Sequence, residues 1–171
     1  MNTTNAMNNT ALEPKVTIRN LYKIFGSSPS SMVDRVKNGI SKKDLLDKHG
    51  HVLALTDVNL DVPAQRIQVI MGLSGSGKST LIRHVNRLIE PTTGEIIIDG
   101  QNVLGMNQKE LREFRKQKAS MVFQKFALLP HYTVADNVAF GLTIQNVPKK
   151  EALERSSKWV ERVGLAGYER H

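Results

Sequence analysis

The pattern of apolar and polar residues along the chain predicts three strands, two from alternation and one from a short apolar run. Residues 16–19 and residues 57–62 repeat with a period of two, and a turn at Pro63 ends the second segment. The run 95–100 is short and apolar and closes with an Asp-Gly pair, which is typical of a strand followed by a tight turn. We interpret all three segments as strands, and residues 57–62 as half-buried.

Two further segments are mostly apolar. Residues 66–71 are predicted as a buried strand, because a short apolar run bounded by turn residues suits a strand that is covered on both faces. Residues 119–123 are predicted as another strand, which ends at Gln124.

Helical periodicity follows residue 77 and dominates the last third of the chain. Capping boxes at Ser31, Ser41 and Thr133 each place an acidic residue three positions after a hydroxyl, which predicts a helix start. Residues 109–118 are predicted as a helix, and residues 148–164 as another, in which Trp159 is expected to lie in the core. The helix after residue 77 carries its apolar residues at Leu81, Ile82, Val85, Leu88 and Ile89.

Composition and charge narrow the class of protein. The 171 residues contain 40% hydrophobic and 23% charged residues, which is ordinary for one soluble globular domain. There is no cysteine, hence no disulfide or thiolate metal site, and no run approaches the roughly 20 apolar residues of a membrane span. The net charge is +8, but Glu110 and Glu113 interrupt the densest basic cluster at helical spacing. We interpret that cluster as a solvated helix face and expect no nucleic-acid partner.

The strongest chemical signal is the stretch 72–80, which fits the phosphate-loop pattern G-x-x-x-x-G-K-[ST] between a predicted strand and a predicted helix. Glycines let the backbone approach phosphates closely, and the helix N-terminus adds positive potential. We expect Lys78 to contact the outer phosphates and the Ser79 hydroxyl to ligate Mg²⁺. The predicted nucleotide-binding residues are Gly72, Ser74, Gly75, Ser76, Gly77, Lys78, Ser79 and Thr80.

A phosphate loop alone does not separate kinases, GTPases, helicases and transporters, so the second half of the chain must decide. Val-Phe-Gln at 122–124 is followed by Phe-Ala-Leu-Leu-Pro-His-Tyr-Thr-Val at 126–134 and by Asp136-Asn137. In these residues the chain resembles the nucleotide-binding subunit of ATP-binding-cassette (ABC) transporters, where Gln124 matches the Q-loop glutamine. A glutamine there can ligate Mg²⁺, orient water or report the nucleotide state to the helices that follow, and these roles stay open. The resemblance makes Lys78 and Gln124 the predicted catalytic residues.

Within that family the chain is more similar still to the ATP-binding subunits of glycine betaine/L-proline (quaternary-amine) importers. The resemblance runs from about residue 16 to residue 171 and includes a helical insertion between the first strand and the phosphate loop. The residues that carry this resemblance are 20–26, 71–80, 86–92 and those around Gln124.

The resemblance implies an α/β fold of the P-loop NTPase class. We expect a partial ABC ATP-binding domain at 15–171, with the helical insertion at 27–50 and the Q-loop and start of the helical subdomain at 124–171. Residues 1–14 are rich in Asn and Thr and are expected to be a disordered N-terminus.

Ligands and partners are also implied by the resemblance. An aromatic residue after the first strand stacks on adenine in this family, and Phe25 stands at that position, with Tyr22 as the alternative. The implied ligands are ATP and Mg²⁺, with Ser79 and Gln124 at the metal. The implied partners are a transmembrane permease subunit, a second copy of the ATPase subunit and, indirectly, a substrate-binding protein. The implied location is the cytoplasmic face of the plasma membrane, held there by the permease.

The family's signature motif, acidic strand motif, catalytic glutamate and switch histidine would all follow residue 171. We therefore interpret the chain as an N-terminal fragment and predict little or no ATPase activity for these 171 residues alone. The leading hypothesis is an energy-coupling ATPase subunit of a compatible-solute importer. The alternatives are an ATP-binding module without hydrolysis and a soluble cassette ATPase that works on ribosomes or DNA.

Overall fold

The computed structural model describes residues 13–124 and 126–171. The predicted disorder of the N-terminus falls on residues 1–12 outside the described residues, and Pro14 already belongs to the first strand. The chain divides into two compact units, Met1–Asn107 and Gln108–His171.

A four-stranded antiparallel sheet forms the frame of the first unit, with the strand order β2-β1-β3-β4. The strands are β1 (Pro14–Phe25), β2 (Val52–Pro63), β3 (Thr93–Ile98) and β4 (Gln101–Asn102). The two alternating segments lie in this sheet, as does the apolar run at 95–98, and residues 99–100 form the turn that follows it. However, β1 and β2 are 12 residues long, about twice the length or more of the segments that alternate in sequence.

Bulges explain why the sequence pattern shows only part of β1 and β2. The register between the two strands shifts at four places, among them the bulge at Asn20, whose φ is +46°, and the step from Lys23 to Ile24, where Ala54 of β2 is skipped. An extra residue in one strand shifts the inward-facing positions by one. Leu21 and Tyr22 are both buried although they are adjacent, which breaks the period of two.

The segment between β1 and β2 is helical, as predicted. A 3₁₀ turn (Pro29–Met32) is followed by α1 (Val33–Lys37) and α2 (Lys42–His49). Ser41 caps α2 as predicted, because its hydroxyl accepts from the Asp44 N–H at 2.9 Å. The capping box predicted at Ser31 is wrong: its hydroxyl donates to the Ser28 carbonyl within the 3₁₀ turn, and α1 begins without a side-chain cap.

The core of the first unit lies between the sheet and these two helices. Its buried cluster consists of Tyr22, Ile24, Val36, Leu45 and Leu53. The helix α3 (Lys78–Val85) follows the phosphate loop, and a second 3₁₀ turn (Val103–Gly105) follows β4. Apolar side chains from both β1 and β2 therefore hold the insertion against the sheet that also supports the phosphate loop.

The strands predicted at 66–71 and 119–123 are wrong, because both segments are irregular. Ile67 and Val122 are each 94% exposed, and Met71 is 87% exposed. A strand needs a neighbour to take up its N–H and C=O groups. The four described strands pair with one another, and none pairs with either segment.

The second unit is helical, with α4 (Gln108–Gln117), α5 (Val134–Thr143) and α6 (Lys149–Arg162). The predicted cap of α5 is confirmed, since the Thr133 hydroxyl accepts from the Asp136 N–H at 3.1 Å. The two helices α5 and α6 bury Ala139 and Val160. Trp159 is 58% exposed, so the prediction that it lies in the core is wrong.

Candidate functional site

The predicted phosphate loop is an exposed turn that leads directly into α3. Gly77 is the N-cap residue of α3 and has no side chain with which to cap the helix. The first N–H groups of an α-helix have no partner within the helix, and they carry the positive end of its dipole. The start of α3 therefore offers N–H donors and positive potential to an anion, which is how helix N-termini bind phosphate.

The neighbouring atoms, as well as the backbone conformation, favour glycine at position 77. Its φ of +93° lies in the left-handed region, and a Cβ built there would stand 2.8 Å from the Ala54 carbonyl oxygen and 2.9 Å from Leu55 Cδ2. Ala54 is the residue that the β1–β2 register skips. The bulge therefore directs a backbone carbonyl to the loop, and only a residue without Cβ fits against it.

The side chain of Lys78 reaches back to the beginning of the phosphate loop. Its ammonium donates to the Gly72 carbonyl at 2.8 Å, to the Leu73 carbonyl at 2.6 Å and to the Ser76 hydroxyl at 3.3 Å. The side chain thus links the first residue of α3 to the first residues of the loop. The backbone is organised around one positive charge, while the adjacent Ser79 is exposed.

His84 lies on α3 and is fully buried. Its Nδ1 is 2.6 Å from the Thr80 carbonyl oxygen and therefore carries the proton, because a carbonyl can only accept. Nε2 is buried without a hydrogen-bond partner among the described residues. Burial lowers the pKa of His84, and the hydrogen bond to Thr80 offsets part of that shift. The imidazole is neutral at pH 7, and its hydrogen bond to Thr80 links two successive turns of α3.

The two candidate aromatic residues are placed differently. Phe25, at the end of β1, is 41% exposed, whereas Tyr22 is 7% exposed and belongs to the buried cluster. Tyr22 is therefore wrong as the stacking candidate, because a core ring offers no face to a ligand. Sequence reasoning missed Lys23, whose ammonium lies 4.7 Å from the centre of the Phe25 ring. The spacing of two residues on a strand was the signal that could have revealed this pair.

Phe25 and the phosphate loop are located by the same short part of β2. Phe25 pairs with Val52, and the carbonyl that meets Gly77 belongs to Ala54, two residues further along β2. Two residues of a strand span about 6.6 Å, and neighbouring strands lie about 4.8 Å apart. The exposed ring and the loop are thus near neighbours within the first unit.

Gln124 belongs to the second unit, whereas every predicted residue of the phosphate loop belongs to the first. It is an exposed residue in a turn, and no strand ends there. The Gln124 side chain therefore does not pack in the core.

Asn137 is a second residue that sequence reasoning did not identify as structural. Its carbonyl oxygen accepts from the Leu129 N–H at 2.8 Å. Its amide nitrogen donates to the carbonyls of Leu129, Tyr132 and Thr133 at 3.1–3.2 Å. One side chain on α5 therefore fixes the loop that precedes the helix.

The described residues contain neither a protein-only metal cluster nor a membrane-spanning helix. Among residues 13–124 and 126–171, there is no group of three or more His, Asp or Glu side chains that could hold a metal ion by themselves. Over the same residues, none of the helices has the length and hydrophobicity needed to cross a bilayer. A magnesium ion here would have to depend on the hydroxyl of Ser79 and on phosphate oxygens, the ligand set that Mg²⁺ often takes.

Comparison with known proteins identifies the family of the chain. The family described as ABC transporter matches residues 55–171. The glycine betaine/proline betaine transport system ATP-binding protein ProV of Escherichia coli (strain K12) is 47% identical over 90% of this chain and 38% of its own length. The glycine betaine transport ATP-binding protein OpuAA of Bacillus subtilis (strain 168) is 45% identical over 91% of this chain and 37% of its own length. The chain therefore spans less than two fifths of these relatives.

A solved structure extends the comparison to the fold. A dimeric ATP-binding cassette in a post-hydrolysis state, bound to ADP and Pi, matches with a TM-score of 0.71 and 28% identity, over 91% of this chain and 60% of that one. The predicted fold class is confirmed. Because the family match includes the phosphate loop and extends through both units, the chain belongs to the ABC transporter family and has the fold of its ATP-binding cassettes.

Proposed function

We propose that this chain forms the ATP-binding part of an energy-coupling subunit in an importer of glycine betaine and proline-type solutes. The observation that carries the proposal is the phosphate loop at the start of α3, where the ammonium of Lys78 is held by three loop oxygens. Positive charge, helix N–H groups and a glycine-lined backbone converge at one exposed place, and this combination suits a polyphosphate.

Lys78 can bind the outer phosphates without losing its hold on the loop. An ammonium has three donors, and the contact with Ser76 at 3.3 Å is the longest of its three. A phosphate oxygen would replace that contact, while the two carbonyl bonds keep Lys78 in place. When bound, Mg²⁺ would neutralise charge on the phosphates, and Ser79 is the residue of the first unit proposed to ligate it.

The base end of the site is proposed at Phe25. This residue is 41% exposed at the end of β1, beside the part of β2 that contacts the loop. Stacking between an aromatic ring and a base contributes about 1–3 kcal/mol in nucleic-acid complexes and does not require a particular base. The phosphate loop therefore supplies the charge recognition, and Phe25 supplies the contact with adenine.

The transport role rests on the relatives. The names of the two relatives above describe ATP-binding proteins of glycine betaine transport systems. We extend to this chain a permease subunit, a second ATPase copy and an indirect substrate-binding protein as partners, at the cytoplasmic face of the plasma membrane. In this role ATP binding and hydrolysis would drive transport of the solute.

Removal of the Lys78 charge tests the nucleotide site. Lys78→Ala should weaken binding of Mg–ATP by at least about 1.5–3 kcal/mol, the range of a charge-assisted hydrogen bond, measured by isothermal titration calorimetry. Lys43→Ala is the matched control, because Lys43 is an exposed lysine on α2 in the same unit. Equal affinities of the two variants would show that the loop is not the site.

A second candidate is an ATP-binding module that does not hydrolyse ATP. It is favoured by the loop contacts, since among the described residues the partners of Lys78 are carbonyl and hydroxyl oxygens and include no carboxylate. A carboxylate near the outer phosphate would be needed to activate water. Release of phosphate from Mg–ATP by these 171 residues, at a rate comparable to that of an intact importer ATPase, would exclude this second candidate.

A further inference from the structure

We propose that Lys23 is a positioning residue for the base of the bound nucleotide. Its ammonium occupies one face of the Phe25 ring and holds that ring in place, so that the opposite face receives a purine. The inference rests on the proposed ATP site, and it adds a residue that neither the phosphate-loop motif nor the resemblance identified.

The Lys23 ammonium has two contacts, one with the Phe25 ring and one with a backbone carbonyl. Its ammonium lies 4.7 Å from the centre of the Phe25 ring and donates to the Glu90 carbonyl at 2.8 Å. The chain around Glu90 is itself fastened to β1: the Thr92 N–H donates to the Tyr22 carbonyl at 2.9 Å, and the Thr92 hydroxyl accepts from the Ile24 N–H at 2.9 Å. Because the carbonyl partner is fixed, the ammonium keeps a defined position over the ring.

The surroundings of Lys23 differ from those of an ordinary surface lysine. The side chain is half-buried, and burial lowers its pKa, with the nearby Glu90 carboxylate acting in the opposite direction. A cation–π contact strengthens as the cation loses water. Lys23 therefore has a stronger attraction to the aromatic face than a fully hydrated lysine would have.

The placement of the ring leaves one face for a ligand. The ammonium lies over one face of the Phe25 ring, while the residue remains 41% exposed. The free face belongs to a residue that pairs with Val52, close to the Ala54 carbonyl against which the phosphate loop packs. A base bound there would form a stack in which the phenyl ring lies between the ammonium and the purine. Lys23 would then affect the base end of the site and leave the phosphate end unchanged.

The experiment compares Mg–ATP with magnesium tripolyphosphate, which has the phosphate chain but no base. Titration calorimetry gives the ratio of the two dissociation constants for the wild-type chain, Lys23→Met and Lys23→Arg. The ratio is insensitive to partial unfolding, because both ligands require the same folded fraction. Lys15→Met is the matched control: it removes a lysine charge from the other end of β1, where Lys15 pairs with Asp99.

We expect Lys23→Met to raise the ratio of the ATP constant to the tripolyphosphate constant by about two- to fivefold, and Lys23→Arg to restore it. Lys15→Met should leave the ratio at its wild-type value. An unchanged ratio in Lys23→Met overturns the inference alone. Equal wild-type affinities for the two ligands would also overturn it and would leave phosphate binding intact, whereas a wild-type chain that binds neither ligand refutes the proposed function itself.

Discussion

Alanine at position 77 tests how closely the phosphate loop is fitted to the sheet. The added Cβ would stand 2.8 Å from the Ala54 carbonyl oxygen and 2.9 Å from Leu55 Cδ2, and the backbone there has φ of +93°. The matched control is Gly75→Ala in the same loop. Gly75 also has positive φ, +77°, but in the described part of the structure a Cβ there would have no heavy atom within 4 Å beyond its chain neighbours.

The two substitutions share one cost and differ in another. Left-handed backbone costs a residue with Cβ about 1–2 kcal/mol, and both variants pay it. Gly77→Ala must also displace the Ala54 carbonyl, and overpacking of this kind typically costs about 1–3 kcal/mol more. We therefore expect a loss of about 1–2 kcal/mol for Gly75→Ala and about 2–5 kcal/mol for Gly77→Ala, in the opening free energy of α3 and the adjoining part of β2.

Native-state hydrogen exchange with mass spectrometry measures this loss locally. Peptides that cover residues 52–63 and 78–85 should exchange faster in Gly77→Ala than in Gly75→Ala, by roughly tenfold for each 1.4 kcal/mol of difference. Peptides from the second unit provide an internal reference. Equal acceleration by the two variants would refute the argument that the Ala54 carbonyl dictates glycine at position 77.

Two further predictions concern groups that hold each unit together. The folded state lowers the pKa of His84, so the unfolded chain binds more protons below about pH 6.5, and the free energy of unfolding of the first unit should fall as the pH drops from there. His84→Gln should flatten that decline in hydrogen-exchange measurements from pH 7.5 to 5, and parallel curves would contradict the assignment. Asn137→Asp keeps the acceptor for Leu129 but loses three donated hydrogen bonds, so it should destabilise the second unit by about 1–3 kcal/mol in urea unfolding followed by Trp159 fluorescence. Gln124→Glu, which adds the same charge at an exposed residue, should have little effect, and equal midpoints for the two variants would show that the Asn137 network contributes nothing.

Elements set by nearby residues could be predicted from the sequence. The starts of α2 and α5 follow from Ser41 and Thr133, whose hydroxyls accept hydrogen bonds from N–H groups three residues later. Ser31 shows the limit of this reasoning, because a 3₁₀ turn uses its hydroxyl for Ser28 instead. The phosphate loop was also predictable, since its glycines, its lysine and the helix that follows are contiguous in the chain.

Features that depend on distant residues could not be predicted in the same way. Residues 66–71 have the composition of a buried strand, but a strand exists only with a partner, and the four described strands pair with one another. The full length of β1 was concealed because its register shifts at Asn20 and the adjacent Leu21 and Tyr22 are both buried, which interrupts the alternation. The position of Lys23 depends on Glu90, which lies 67 residues away in sequence.

The bulge at Ala54 connects the two ends of the proposed nucleotide site. Lys23 pairs with Leu55 and Phe25 pairs with Val52, so the skipped residue lies between the pairing partners of the cation and of the ring. The carbonyl of that same residue is the atom that excludes a side chain at position 77. A regular ladder would have directed the Ala54 carbonyl along the sheet to a neighbouring strand and would have given the loop no backbone surface to pack against. The skipped residue in β2 therefore relates the position of the phosphate loop to that of the exposed aromatic residue, which suits a ligand with a charged end and a flat end.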